Sequence, residues 1–288
     1  MQFSRRRHTS GLRTLGTLVT LASTTGLVLA CNIGAGDAEA SAANRSAANT
    51  AADGLVYGEA VTVGHGTARV YVQLAGGAPV EVGVALSEAA LSGLPDNSSP
   101  GGHAMPDGMK TFPFALTMPE NNPTPYLHVG LDWNPGGHEP PGIYNTPHFD
   151  FHFYTVTEAE RHEIMPTNPE FAAKAAHYPP ADRVPAGYVA PAPTAIPMMG
   201  VHWVDPTSPE LNGKPFDKTF IYGSWDGKLI FAEPMITKAF LESRPDFTAP
   251  VAVPQQYGTP GYYTTSYSIR WDDAAREYRV ALGGLQRR

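Results

Sequence analysis

His148-Phe149-Asp150-Phe151-His152-Phe153-Tyr154 is the stretch that decides how this chain folds. Its aromatic content favours a strand over a helix. A strand has a side-chain period of two. Phe149, Phe151 and Phe153 then share one face, and that face must be core. His148, Asp150, His152 and Tyr154 share the other, a row of ionisable groups on one wall. Alternate residues on a strand lie roughly 6.8 Å apart, and residues four apart roughly 13.5 Å. An i,i+2 pair can therefore grip one ion, whereas His148 and His152 cannot meet at one ion without a bulge. The chelating pair expected is Asp150 with one of the two histidines.

Working outward, His128, His138, His148 and His152 fall within 25 residues. His138 and Glu139 sit ten residues upstream of the strand, on a Gly- and Pro-rich loop. His202 lies further on, in Met198-Met199-Gly200-Val201-His202, with Asp205 and Glu233 beyond it. Convergence of His138, His148, Asp150 and His152 near one pocket is expected, with His202 as a further metal ligand. Imidazole with carboxylate suits Zn, Fe or Mn. If the site is catalytic, Glu139 is the candidate general base. The structural alternative is a buried hydrogen-bond network in which Asp150 orients two neutral histidines. Thioethers near imidazoles suit copper: His103, Met105 and Met109, then Met198, Met199 and His202. No HExxH spacing, no phosphate-binding glycine loop and no Gly-x-Ser-x-Gly elbow occurs.

The surrounding segments read as strands and turns. Val61 to Leu74 alternates around Gly64-His65-Gly66, and Val80, Val82 and Val84 continue the pattern. Tyr126 to Trp133 places Leu127, Val129, Leu131 and Trp133 on one face, with His128, Gly130 and Asp132 on the other. Ser224-Trp225-Asp226-Gly227 and Asp272-Asp273-Ala274-Ala275 read as hairpin turns. Short helices are expected after Ser87, after the capping box Thr157-Glu158-Ala159-Glu160, after Asn168-Pro169-Glu170, and from Pro234 to Glu242. Gly and Pro make 57 of 288 residues, which argues against a helical bundle. The expectation is a mainly β domain over 54–288, a sandwich or barrel of about ten strands with three or four short helices.

Residues 1–30 hold four Arg, no Asp or Glu, and an apolar run from Leu15 to Ala30. This reads as a secretion signal. It ends at Val28-Leu29-Ala30-Cys31, where a small residue precedes the single cysteine. That fits a bacterial lipobox, with Cys31 lipidated and the domain outside the cytoplasm. The alternative is ordinary cleavage near Ala30 that leaves an incidental thiol. Residues 31–53, rich in Ala, Ser and Asn, read as a flexible tether. Without the signal the chain has 16 basic and 27 acidic residues, which argues against a nucleic-acid partner.

The GHEP segment, Pro147 to Tyr154, and Pro197-Met198-Met199-Gly200-Val201-His202 together resemble the sigma-E-controlled, TTHB-like domain of exported bacterial proteins. The resemblance runs from about Tyr57 to Leu285. It implies an oligomeric envelope protein with no established activity, and it supplies no catalytic residues. Three functions compete at this stage. They are a binding or structural lipoprotein of the envelope, a metal-dependent hydrolase or oxygenase acting on a small molecule, and a periplasmic copper-handling protein.

Overall fold

The computed structural model describes residues 53–105, 108–191 and 195–288. The leader over 1–30, Cys31 and the tether up to residue 52 lie outside them. The strands in chain order begin with β1 (Gly54–Tyr57), β2 (Val61–Val63), β3 (Gly66–Ala75) and β4 (Ala78–Ser87). The middle of the chain gives β5 (His103–Ala104), β6 (Lys110–Thr117), β7 (His128–Asn134), β8 (His148–Tyr154), β9 (Val201–Trp203), β10 (Lys218–Trp225) and β11 (Lys228–Thr237). The last part adds β12 (Asp246–Pro250), β13 (Tyr262–Tyr263), β14 (Ser266–Asp272), β15 (Glu277–Gly283) and β16 (Gln286–Arg287). Several of these are only two or three residues long, which is why the sequence suggested fewer.

Two antiparallel sheets bury one core between them. The first runs β1-β3-β4-β15-β14-β12, with β2 also paired to β3. The second runs β5-β6-β7-β8-β11-β10-β9. Val70, Val72, Val82, Val84, Ile269, Val280 and Leu282 come from the first. Leu116, Val129, Leu131, Phe149, Phe151, Phe153 and Ile236 come from the second and join the same cluster. Phe149, Phe151 and Phe153 are fully buried, so the three phenylalanines do form the core face of β8. Each such ring contributes about 1.5–3 kcal/mol of burial free energy, which holds β8 in one register.

The turns follow the sequence closely. The β10–β11 hairpin closes with Asp226 and Gly227 both at positive φ, 46° and 76°. That is the backbone a tight hairpin needs. Thr157 and Glu160 form the reciprocal capping box in front of the helix Glu158–His162. Two expectations need correction. Pro234 to Glu242 is not one helix: β11 continues to Thr237, and the helix spans Lys238–Glu242. Its N-cap is Thr237, whose hydroxyl accepts from the Phe240 N–H. Pro234 suits a first helical position, but burial of Pro234 through Thr237 between β8 and β10 outweighs that local signal. Leu127 is half exposed and precedes the strand rather than packing in the core.

Candidate metal centre

The central pair of the second sheet sets up the site. β7 and β8 pair so that Asn134 faces His148, Asp132 faces Asp150, Gly130 faces His152 and His128 faces Tyr154. Two polar rows thus lie side by side on the outer face of the sheet, opposite the phenylalanine core. All seven residues of each strand are buried, so loops cover this outer face too. On the other side of β8, Ala232 pairs with Phe153 and Met235 with Asp150. That register puts Glu233 across from His152. His202, on β9, is the cross-strand partner of Gly223 on β10.

His138, His148 and Asp150 form the first ligand set. His148 Nε2 lies 3.1 Å from Asp150 Oδ1, and His138 Nε2 lies 3.3 Å from Asp150 Oδ2. The far nitrogens are both tied down. His138 Nδ1 is 2.6 Å from the Glu139 carbonyl oxygen, and His148 Nδ1 is 2.6 Å from that of Thr146. A carbonyl can only accept, so each Nδ1 carries the proton. Without an ion the Asp150 carboxylate favours a second proton on His138, against the effect of burial; with an ion bound, each neutral ring would present its Nε2 lone pair to it. Asn134 Nδ2 donates to Asp150 Oδ2 at 2.7 Å and orients that carboxylate. This is the outer support that metal ligands use.

The loop that carries His138 is closed by Gly137. Its φ is 76°, and a Cβ there would lie 1.9 Å from the Tyr144 carbonyl oxygen. Only glycine permits that approach. Glu139, on the same loop, is exposed, and it is its carbonyl oxygen that meets His138.

His152, His202 and Glu233 form a second set. His152 Nε2 is 3.3 Å from Glu233 Oε1, and His202 Nε2 is 3.7 Å from Glu233 Oε2. Asp132 Oδ2 approaches the other side of His152, 3.4 Å from Nδ1. The Phe231 ring packs edge-on against both imidazoles, at 5.0 Å from His152 and 5.4 Å from His202. Gly223 makes room for it, because a Cβ at that position would lie 1.9 Å from the Phe231 ring. His152 therefore belongs with His202 and Glu233 rather than in a single pocket with His138. The reason is the strand spacing: His148 and His152 are four residues apart on one straight strand, and no bulge brings them together.

The electrostatics of the patch ask for positive charge. Burial pushes His152 down to about 3 and His202 down to about 4, so both are neutral donors near pH 7. Burial, reinforced by the Asp150 charge, pushes Asp132 up to about 7. Burial also drives Glu233 well above the usual carboxylate range, with Asp150 and Asp132 adding to it. Burial alone would raise Asp150 too, but the charges of His148 and His138 outweigh it and hold Asp150 well below that range. His148 Nε2, Asp150 Oδ1, both His152 nitrogens, Glu233 Oε2 and Asp132 Oδ2 are buried with no hydrogen-bond partner. Orphaned buried polar atoms are costly. A divalent cation would satisfy the Nε2 and carboxylate atoms of the set that held it. The donors are imidazole and carboxylate, and among the described residues no thioether joins either set. Met199 instead packs in the apolar cluster of Tyr154, Ile164, Ile230 and Phe231.

Residues 75–133 match the model of the TTHB210-like family, described as hypothetical protein TTHB210. The matched segment runs from the end of β3 through nearly all of β7. It contains Asp132 and stops before His138, His148, Asp150, His152 and His202. It agrees with the resemblance to the TTHB-like domain and assigns no chemistry. No curated protein and no solved structure matches the chain.

Asp132, Asn134 and Arg161 were not among the residues singled out as site members. Asp132 had been placed on the polar face of its strand, but only the pairing of β7 with β8 brings it to the site. Arg161, on the helix Glu158–His162, lies over the Tyr154 ring at 4.8 Å and donates from Nε to the Met198 carbonyl. No sequence signal marks it.

Proposed function

We propose that this chain is an exported, lipid-anchored protein of the bacterial cell envelope whose domain binds a divalent transition metal, Zn, Fe or Mn. The ion is held by His138, His148 and Asp150. The observation that carries the reading is the approach of His148 Nε2 to Asp150 Oδ1, buried and without a hydrogen bond, while both imidazole Nδ1 protons are committed to backbone carbonyls. A simple hydrogen-bond network would place a proton between those atoms in bonding alignment. The export and anchoring part rests on the charged leader, the apolar run and Cys31.

A second reading, metal-dependent hydrolysis or oxygenation of a small molecule, is favoured by the partial exposure of His138. Three protein ligands, one of them at the surface, leave a coordination position that substrate or water can occupy. Self-association through the domain is the partner expectation that the TTHB-like resemblance brings.

Elemental analysis of protein prepared without a polyhistidine tag tests the proposal. Stoichiometric Zn, Fe or Mn supports it. Copper in place of these supports the copper-handling alternative, and a metal-free protein that ignores added Zn and chelator overturns metal binding.

A further inference from the structure

The second ligand set stands beside the first on the same face of one sheet. Asp150 and His152 are two residues apart on β8, roughly 6.8 Å along the strand. Asp132 adjoins both strand positions. It is the cross-strand partner of Asp150, and its Oδ2 faces His152 Nδ1 at 3.4 Å. That oxygen is buried and has no hydrogen bond. Each set has one partly exposed imidazole, with 20% of the His138 side chain and 23% of the His202 side chain accessible. The remaining ligands, His148, Asp150, His152 and Glu233, are at least nine-tenths buried. Each set is thus closed below and open at a single imidazole.

Charge identifies what the opening receives. Asp132, Asp150 and Glu233 are three buried carboxylates. Arg161 is the guanidinium near them: its Nη1 lies 3.6 Å from where a Gly130 Cβ would be, and Gly130 is the cross-strand partner of His152. No carboxylate pairs with Arg161 among the described residues. Ion binding displaces the protons that burial keeps on these carboxylates, and with all three ionised one divalent ion brings this group of charges to neutrality. A second leaves an excess of positive charge that only an anion can offset.

We infer that His152, His202 and Glu233 hold a second divalent ion next to the first, with Asp132 between them, and that the loaded pair binds a phosphate-type oxyanion at the side where His138 and His202 reach solvent. This rests on the metal reading of the first set.

The test is metal stoichiometry followed by calorimetry with inorganic phosphate on full-length, Zn-loaded protein. Two ions per chain are expected in the native protein. One is expected in His202→Ala and one in His138→Ala. Phosphate should bind the doubly loaded protein at least tenfold more tightly than either variant. His202→Gln repeats the test with a side chain of similar reach, so that a folding defect in one variant does not decide the matter. A native protein with one ion, kept by both His202 variants and lost in His138→Ala, overturns the second site and leaves the first intact. Two ions with equal phosphate affinity in native protein and His202→Ala overturns the joint oxyanion site. No ion at all overturns the first reading together with this one.

Discussion

His148 Nε2 faces Asp150 Oδ1 across 3.1 Å of buried space, and neither atom has a hydrogen-bond partner. The two residues are separated by Phe149, which points the opposite way into the core. Ligand chemistry and core packing are therefore written on alternate residues of one strand, and substitutions separate them. Asp150→Asn keeps the side-chain volume and removes the charge. On the proposed metal binding it should lose the ion: chelator should lower the melting temperature of the native protein and leave that of the variant unchanged. Phe151→Ala should instead cost about 3–5 kcal/mol in native and metal-free protein alike. Thermal melts with and without chelator check both.

Gly137 fixes the loop that delivers His138. Gly137→Ala forces a Cβ against the Tyr144 carbonyl and strains a φ of 76°, so His138 should swing away from Asp150. Metal affinity at the first set should fall about 10–100-fold, the usual cost of losing a ligand's support. Gly142→Ala in the same loop meets open space despite its positive φ. It should lose about 1–2 kcal/mol of stability to its left-handed backbone and keep its affinity. Competition against a chromophoric chelator measures the difference.

His128 supplies a pH dependence outside the ligand sets. It is buried and stacks on Tyr154 at 4.8 Å. Burial, with the Arg161 charge adding to it, depresses its pKa to about 4. The unfolded chain takes up a proton near pH 6.5 and the folded one does not, so stability is lost as pH falls from about 6.5 toward 4. Between pH 7.5 and pH 5 this amounts to about 2 kcal/mol. His128→Phe removes the titrating group. The drop in melting temperature between those two pH values should be smaller in the variant than in the native protein. An equal drop in both would show that His128 plays no part.

On the proposed anchoring, Cys31→Ser should abolish lipid labelling and release the protein from membranes, because the cysteine is the single thiol of the chain and follows the apolar run Leu15 to Ala30. Unchanged membrane fractionation of the variant would defeat the anchor.

The polar wall of β8 was legible in the sequence because a period of two needs only one strand to be read. The hairpins and the Thr157 capping box were legible for the same reason: turns and caps are local chemistry. The division into two ligand sets was not. It depends on which residues of β7 and β11 stand opposite β8, and that register is set by core packing across strands distant in sequence. Asp132 and Asn134 enter the site only through that pairing. Glu233 is named among the possible ligands, but its place opposite His152 is not legible, since Pro234 looks like a helix start when read alone and proves to be an interior residue of β11. Arg161 arrives from a helix whose cap was foreseen but whose docking on Tyr154 was not.

Phe231 sits against His152 and His202 with its ring in the space that Gly223 leaves free. Such a ring acts as a rigid spacer. The two imidazoles have little room to close up when an ion departs, or to spread for a larger one. Filled and empty forms of the domain should then share one shape. On the proposed metal binding, a protein built this way gains no signal from the arrival of an ion. It is suited to keeping a metal or using it, and poorly suited to announcing it.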